Sequence, residues 1–221
     1  MGLAIARTLA AKGCNLVITG RDEQALRRIS RELASAKIQI LVHSCEVRDP
    51  QSVDDLFRVL RRQFQRLDIL INNAGIAHAN LTVDKLPLPL LQDVIDTNLT
   101  GTFLVTQAAL AIMKRGGTIV NNLSIAANRA FAGCAAYNAS KHGTLGFTTT
   151  LREELRPRGI RVIALLPGAT DTDIWKTLWP QAPRKKMMSP ATVAEAVVNA
   201  ILLPPNATVE TLEILPTVGL L

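Results

Sequence analysis

The sequence predicts an α/β protein built on a doubly wound parallel sheet, a Rossmann-like fold with three α/β/α layers. Short apolar runs alternate along the chain with longer stretches of helical periodicity, an order that is typical of such folds. The runs are continuously apolar, which indicates strands buried on both faces. With 221 residues, 48% of them apolar, the chain is long enough for a single domain, residues 1–221, with a sizeable core.

The apolar runs predict six strands, and helices are predicted between them where apolar residues recur at every third or fourth position. The strands span Asn15–Thr19, Ile38–Val42, Asp68–Ile71, Thr118–Asn122, Arg161–Leu165 and Leu212–Leu215. The helices span about residues 2–12, 22–36, 49–65, 90–113, 137–155 and 190–202. Gly13 is suited to end the first helix, and Leu26, Ile29 and Leu33 recur on one face of the second.

Composition argues against several classes of protein. No apolar run approaches the ~18 residues of a membrane span, and the first residues lack the features of a signal peptide. Cys14, Cys45 and Cys134 show no disulfide or metal spacing, so we predict a reducing, cytoplasmic location and no metal site. The net charge is +7 at pH 7, but the basic residues are dispersed. We predict no nucleic-acid or membrane partner, and a mildly basic surface that can attract anionic substrates.

One stretch carries a candidate site. Ser124 precedes Tyr137, the only tyrosine, by thirteen residues, and Lys141 follows it by four. If Tyr137 opens a helix, Lys141 lies on the same face one turn later. A nearby ammonium lowers a tyrosine pKa, so Tyr137 could exchange a proton with a substrate oxygen that Ser124 also contacts. The bare pattern is weak, because it also fits a half-buried aromatic beside a solvated lysine.

Further candidate residues follow predicted strands. They are Arg21, Glu46, Asn73–Gly75, Ser124 and the pair Pro167–Gly168. Parallel strands present their carboxyl ends along one edge of a sheet, where ligands bind. This coincidence favours a site over a chance pairing of Tyr137 and Lys141.

Together these motifs resemble the classical short-chain dehydrogenase/reductase family over nearly the whole chain. The shared motifs are N-N-A-G at 72–75, D-T-N-L-T-G at 96–101, the Ser124, Tyr137 and Lys141 set, and P-G-A-T-D-T at 167–172. The resemblance implies that Tyr137 is the acid or base and that Ser124 orients the carbonyl. It implies that Lys141 binds ribose hydroxyls and tunes Tyr137, while Asn98 holds a water in the proton relay.

The resemblance also implies a nicotinamide cofactor, and its type can be argued from charge. Where an acidic residue would accept the adenosine ribose 2′-hydroxyl, this chain has Gly20 and then Arg21, which suits a 2′-phosphate. We therefore expect NADP(H), with NAD(H) possible; alternatively Arg21 is only a surface residue. The implied cofactor contacts are Gly2, Arg21, Glu46, Val47, Asn73, Ala74, Gly75, Tyr137, Lys141, Pro167, Gly168, Thr170 and Thr172.

The chain departs from the family at its amino terminus. Family members begin with a strand and a glycine-rich turn that approaches the pyrophosphate. Here Met1-Gly2-Leu3 reads as the following helix, and Gly2 matches only the last glycine of that turn. We hypothesise a misplaced start or a truncation. Loss of a central strand exposes the edges of its neighbours unless they pair directly.

The implied function is transfer of a hydride between NADP(H) and a carbonyl or secondary alcohol, most similar to 3-oxoacyl-carrier-protein reductases. The alternative is a catalytically silent homologue that acts only through subunit association. Residues 173–189 are the expected substrate lid, in which Trp175 and Trp179 serve either packing or substrate contact. Family resemblance further implies a homodimer or homotetramer formed through helices 90–113 and 137–155.

Overall fold

The computed structural model describes residues 1–34 and 38–220. Its strands are β1 (Leu16–Gly20), β2 (Ile40–Ser44), β3 (Leu67–Asn72), β4 (Met113–Asn122), β5 (Arg161–Pro167) and β6 (Thr211–Ile214). Its α-helices are α1 (Gly2–Ala11), α2 (Glu23–Leu33), α3 (Pro50–Phe64), α4 (Leu88–Ile95), α5 (Gly101–Leu110), α6 (Ala135–Leu155), α7 (Trp175–Leu178) and α8 (Pro190–Ile201). Every strand pairing in the described chain is parallel, and the predicted Rossmann-like fold with three layers is confirmed.

Alternating residues of the central strands face two different cores, as expected for a sheet covered on both sides. Val120 of β4 and Ile163 of β5 pack with α1 and α8. Their neighbours Ile119 and Val162 pack with α3, α5 and α6. All four side chains are at most 1% exposed. The two helical layers therefore pack against opposite faces of the sheet and hold its carboxyl edge in place.

The strands form two separate groups. β1 pairs with β2, while β3, β4, β5 and β6 pair in that order. In the described chain no ladder joins β1 to β3, and both strands line one cavity of about 990 Å³ together with α1. The neighbours of the expected first strand therefore stay apart instead of closing up. The result is an open slot between two parallel edges.

Two predicted elements differ from the structure. The strand predicted at Thr118–Asn122 begins earlier in the structure, at Met113. The apolar pattern missed its first residues because the charged Lys114 and Arg115 interrupt it, although their backbone is extended. The single helix predicted over 90–113 is divided by a π-helical turn at Asp96–Thr100. Such turns are frequent at functional sites, and this one carries Asn98.

The other predicted boundaries differ from the observed ones by one or two residues. Capping side chains account for several of the observed helix starts. Asp22 accepts from the N–H of Ala25 at 3.0 Å, and Ser189 accepts from that of Thr192 at 3.0 Å, each satisfying a free amide of the first turn. The predicted end of the second helix, residue 36, lies outside the described residues. Of the helices that are described, none has the length and apolar character needed to cross a bilayer.

Candidate active site

Two of the candidate catalytic residues, Ser124 and Tyr137, line one cavity at the carboxyl edge of the four-stranded group, whereas Asn98 and Lys141 are buried outside its lining. This cavity has a volume of about 630 Å³. It is lined by the sequence-predicted residues Asn73, Gly75, Ser124, Tyr137, Pro167, Gly168, Thr170 and Thr172. The other predicted cofactor contacts Gly2, Arg21, Glu46, Val47 and Ala74 line the larger cavity that continues into the slot. Met1, Asn73 and Gly75 line both cavities, which are therefore adjacent.

Ser124 lies just beyond β4 in extended backbone. Its Oγ accepts from the N–H of Ala126 at 3.1 Å and so caps a short 3₁₀ helix, Ile125–Ala127. This contact fixes the side chain at the cavity wall. The same hydroxyl lies within hydrogen-bonding reach of the Tyr137 phenol.

Tyr137 and Lys141 occupy successive turns of α6, on one face, as their spacing predicts. The Lys141 Nζ atom lies 5.5 Å from the centroid of the Tyr137 ring. It donates to the carbonyl of Asn122 at 3.1 Å. Both side chains are buried, Tyr137 at 8% and Lys141 at 5% exposure. The ammonium is thus anchored to β4 directly behind the phenol.

The protonation of this pair differs from the sequence-based expectation. Burial raises the pKa of Tyr137 to about 12, and this outweighs the opposite effect of a hydrogen bond from Ser124. Burial also lowers the pKa of Lys141 to about 8. The expectation that Lys141 lowers the Tyr137 pKa is therefore wrong for this structure. The reason is that desolvation disfavours both charged forms.

Asn98 joins three parts of the site from the π-helical turn. Its Oδ1 accepts from the N–H of Ile76 at 2.8 Å, and its Nδ2 donates to the Ile76 carbonyl at 2.9 Å. Nδ2 also donates to Ser140 Oγ at 2.9 Å. The Asn98 carbonyl accepts from the hydroxyls of Thr102 and Thr144. The side chain thus ties the loop after β3 to helix α6.

Arg21 and Glu46 meet at the far end of the larger cavity. The Arg21 side chain is 71% exposed, and its Nη1 lies 4.0 Å from Glu46 Oε2. Partial burial acts to raise the pKa of Glu46, but hydrogen bonds and charge from Arg48 outweigh it and lower that pKa. Glu46 is therefore ionised and already paired with Arg48, at 3.3 Å. Arg21 keeps most of its guanidinium available to an anion from solvent.

Comparison with known proteins places this geometry in a family. A protein-family model described as "short chain dehydrogenase" matches residues 1–183. The chain belongs to this family. It is 34% identical over 209 residues to a 3-oxoacyl-acyl-carrier-protein reductase of Aquifex aeolicus, with 89% of this chain and 84% of that protein covered. The family resemblance predicted from the motifs is thus confirmed.

Solved structures of related dehydrogenases share the fold. An actinorhodin polyketide ketoreductase variant crystallised with NADPH superposes with a TM-score of 0.86 at 32% identity, covering 99% of this chain and 92% of that one. A 3-ketoacyl-acyl-carrier-protein reductase of Brucella melitensis complexed with NADH superposes with a TM-score of 0.88 at 26% identity, covering 98% and 92%. Both superpositions therefore include the two strand groups and the candidate site.

This short-chain dehydrogenase contains site residues that sequence reasoning missed. Ser140 accepts from Asn98 and donates to the Tyr137 carbonyl at 2.7 Å. Asn122 donates to Asn73 Oδ1 at 2.9 Å. The position of Ser140, directly before Lys141, was a usable signal, because it had to lie in the same helical turn. Asn122 gave none, since it reads simply as the end of a strand.

Several atoms around the two cavities fit a dinucleotide. The buried Oδ1 of Asn122 has no partner among the described residues and lies at the wall. A Cβ on Gly2 would lie 2.7 Å from Asn73 Nδ2, and a Cβ on Gly75 would lie 3.3 Å from Asn98 Oδ1. Both glycines therefore keep the backbone close to the site. Helix α1 starts at Gly2 with no side-chain cap, which leaves N–H groups suited to an anion.

The lid segment forms one side of the smaller cavity. Trp175 donates its indole N–H to the Thr170 carbonyl at 2.8 Å, and its ring meets that of Trp179 edge to face, with centroids 6.4 Å apart. Both rings line the cavity. Of the two roles predicted for these tryptophans, the structure gives Trp175 a packing role and leaves the ring of Trp179, 42% exposed, at the mouth. Within the described chain, no group of three His, Cys, Asp or Glu side chains is placed to hold a metal.

Proposed function

We propose that this short-chain dehydrogenase reduces a carbonyl to a secondary alcohol with NADPH and catalyses the reverse oxidation with NADP⁺. The observation that carries the proposal is the assembly of Ser124, Tyr137 and Lys141 at one cavity. Ser124 and Tyr137 line it, and Lys141 is anchored behind the phenol by its bond to Asn122. The catalytically silent alternative, which would keep these three residues and lack the cofactor cradle, is not supported by the relatives, which are named reductases. The cavity beside Ser124 and Tyr137 is also large enough for a small substrate.

The protein would hold the cofactor with residues of both cavities. Arg21 suits the 2′-phosphate of NADP(H), since its guanidinium is largely exposed and Glu46 is already paired with Arg48. Val47 packs against Gly101, where a Cβ would approach it to 2.7 Å, and so presents a fixed surface for the adenine. Asn73–Gly75 border the pyrophosphate region. The related structures bound to NADPH and to NADH support a nicotinamide cofactor and leave NAD(H) as the second candidate.

Around the reacting carbon, each remaining residue has a defined task. Bound NADPH supplies the hydride. Lys141 would reach ribose hydroxyls, while Pro167, Gly168, Thr170 and Thr172, which line the smaller cavity, would border the nicotinamide. Ser124 would donate a hydrogen bond to the substrate carbonyl and thereby orient it. Asn98 holds the Ile76 loop and Ser140 in place, and its water-holding role stays a prediction.

Tyr137 would act as the general acid in reduction. Its pKa of about 12 keeps the phenol protonated at neutral pH, so the proton is available for the developing alkoxide. The Lys141 ammonium would then stabilise the phenolate that is left, through its position behind the ring. In the oxidative direction the same two residues would remove the alcohol proton. That direction needs the Tyr137 pKa to fall, and a charged Lys141 favours this.

The test is binding and turnover with matched variants. We expect the purified chain to bind NADPH in a fluorescence titration and to oxidise it in the presence of a ketone. Tyr137→Phe should retain NADPH binding and lose at least about 1,000-fold in kcat, since it removes only the acid. Ser124→Ala should lose activity by a comparable factor without loss of binding. A chain that binds neither NADPH nor NADH would overturn the proposed function.

Association of subunits is a separate part of the proposal. Phe103 of α5 is 43% exposed and meets the ring of Phe147 on α6 edge to face at 6.0 Å between centroids. Phe147 itself is half-buried. The exposed ring of Phe103 beside it supports the expected homodimer or homotetramer, because exposed aromatic side chains are enriched at interfaces. The cytoplasmic location stays a prediction from cysteine usage.

A further inference from the structure

The cavity beside Tyr137 has walls of different chemistry. On the cofactor side it is lined by the backbone-rich segments at Asn73, Gly75 and 167–172. On the opposite side the lining is carbon-rich and comes from the segment after β4 and from the lid. The residues that matter here are Ile125, Phe131, Cys134, Leu178 and the two tryptophans. This second wall faces the position that a substrate must take next to Ser124 and Tyr137.

No charged side chain is among the described residues that line this cavity. The amino-terminal group of Met1 does line it, but Met1 borders the larger cavity as well and so lies on the cofactor side. The lid contains charged residues, but none of them lines the cavity. Lys176 bonds Asp173 at 2.6 Å, with side chains 74% and 85% exposed, and Arg184 pairs with Asp171. A carboxylate or phosphate that entered would leave water without meeting a cation on the carbon-rich wall. Such a transfer is strongly unfavourable.

The two tryptophans give this wall two aromatic rings. Trp175 is fixed by its bond to the Thr170 carbonyl, and Trp179 meets it edge to face with 42% of the residue exposed at the mouth. A large aromatic side chain exposed at the mouth of an apolar cavity is suited to cover a ring of the ligand, because aromatic pairs gain energy beyond simple burial. Phe131 lines the same cavity.

We propose that the substrate is an uncharged ketone with a cyclic or aromatic apolar body, held between the tryptophans of the lid and the segment from Ile125 to Cys134. This inference rests on the proposed reductase function and specifies its substrate class. The net positive charge of the protein would then attract anions only to the outer surface. Inside the cavity, the carbon-rich wall selects against them. Trp179 is the specificity-determining residue in this arrangement.

The chain allows a direct test, because its two tryptophans both line the cavity. Intrinsic tryptophan fluorescence therefore reports ligand entry whether or not turnover occurs. Methyl 4-acetylbenzoate and 4-acetylbenzoate are matched probes, since they share the same ketone and ring and differ in one negative charge. We expect the ester to quench the fluorescence and to be reduced with a kcat/KM about 50-fold or more above that of the carboxylate.

Variants of Trp179 test the aromatic part of the proposal. Trp179→Ala should raise KM for the ester about 10-fold, with a smaller effect on kcat, and should raise KM for the acyclic ketone butanone by a clearly smaller factor. Trp179→Phe should restore most of the affinity for the ester. An equal loss for the ester and butanone would indicate a purely structural role and overturn the assignment of Trp179.

The outcomes separate this inference from the proposed function. If the carboxylate is reduced as well as the ester or better, the substrate class is wrong while the reductase function stands. If NADPH does not bind, the proposed function fails, and fluorescence quenching alone then decides the ligand class. Quenching by the ester but not by the carboxylate supports the inference, and quenching by both with equal affinity overturns it.

Discussion

The side chain of Asn98 brackets the backbone of Ile76. Its Oδ1 accepts from the Ile76 N–H at 2.8 Å, and its Nδ2 donates to the Ile76 carbonyl at 2.9 Å. One side chain thus satisfies both peptide groups of a residue in the loop after β3. The same Nδ2 also reaches Ser140 on α6. The loop that borders the cofactor region and the helix that carries Tyr137 are therefore held by one amide.

We expect Asn98→Ala to destabilise the protein by about 3 kcal/mol, because it leaves the polar backbone groups of Ile76 and the Ser140 hydroxyl without this partner. Activity should fall as well, since Tyr137 and the loop lose their common support. Urea denaturation and steady-state kinetics measure the two effects. Asn206→Ala, at an exposed asparagine, is the control and should change stability by less than about 0.5 kcal/mol. Equal stability of both variants would contradict the bracing role.

The protonation of Tyr137 can be observed without interference, because the chain has only one tyrosine. In the native protein we expect tyrosinate absorbance to rise only near pH 12, since burial raises the Tyr137 pKa to about 12. The denatured chain should titrate near the ordinary value of about 10. Near-ultraviolet absorbance against pH, with circular dichroism to monitor folding, makes the measurement. A native midpoint at or below 10 would show that the Lys141 charge outweighs burial.

Buried Lys141 should make stability depend on pH. Burial lowers its pKa from 10.5 to about 8, so between these values the unfolded chain binds a proton that the folded chain has released. Stability contributed by this group therefore rises with pH through that window and is lowest below about pH 8. Lys141→Met removes the charge, and at pH 7 it should be more stable than the wild type by up to about 3 kcal/mol.

This difference should shrink from pH 8 upwards and vanish above pH 10.5, where the wild-type lysine becomes neutral in both states. Denaturant unfolding at several pH values measures it. Lys176→Met serves as the matched control, because that lysine is exposed on the lid and pairs with Asp173. It should show no comparable pH dependence between pH 8 and 10.5. A constant difference for Lys141→Met across this range would contradict the assigned cause.

Arg21 should decide between the two nicotinamide cofactors. We expect Arg21→Ala to weaken NADPH binding about 10-fold or more while NADH binding changes little, since only NADPH carries the 2′-phosphate. Titration of each cofactor by fluorescence measures this. Arg27→Ala is the control, because Arg27 is an exposed arginine of α2 that pairs with Glu23. No loss for either cofactor would leave Arg21 a surface residue, and an equal loss for both would contradict recognition of the 2′-phosphate.

Sequence reasoning located most of the fold because the buried strands are continuous apolar runs. It failed where the backbone and the side chains gave different signals. The charged pair Lys114–Arg115 hid the first half of β4, and the π-helical turn around Asn98 was read as ordinary helix, because a single extra residue per turn leaves no mark in a short apolar pattern. Ser140 was missed because its importance lies in a contact with Asn98 on another element and a contact with the Tyr137 carbonyl inside its own helix.

By itself, the sequence determined the family, the order of the elements and the identity of Ser124, Tyr137 and Lys141, because these depend on local patterns and fixed spacings. Only the tertiary structure decided that the two strand groups stand apart at β1 and β3. It alone also decided that no charged side chain is among the described residues that line the smaller cavity. It also decided the sign of the Tyr137 pKa shift. Burial is a property of everything that surrounds a residue, and desolvation here exceeds the effect of the neighbour that spacing could identify.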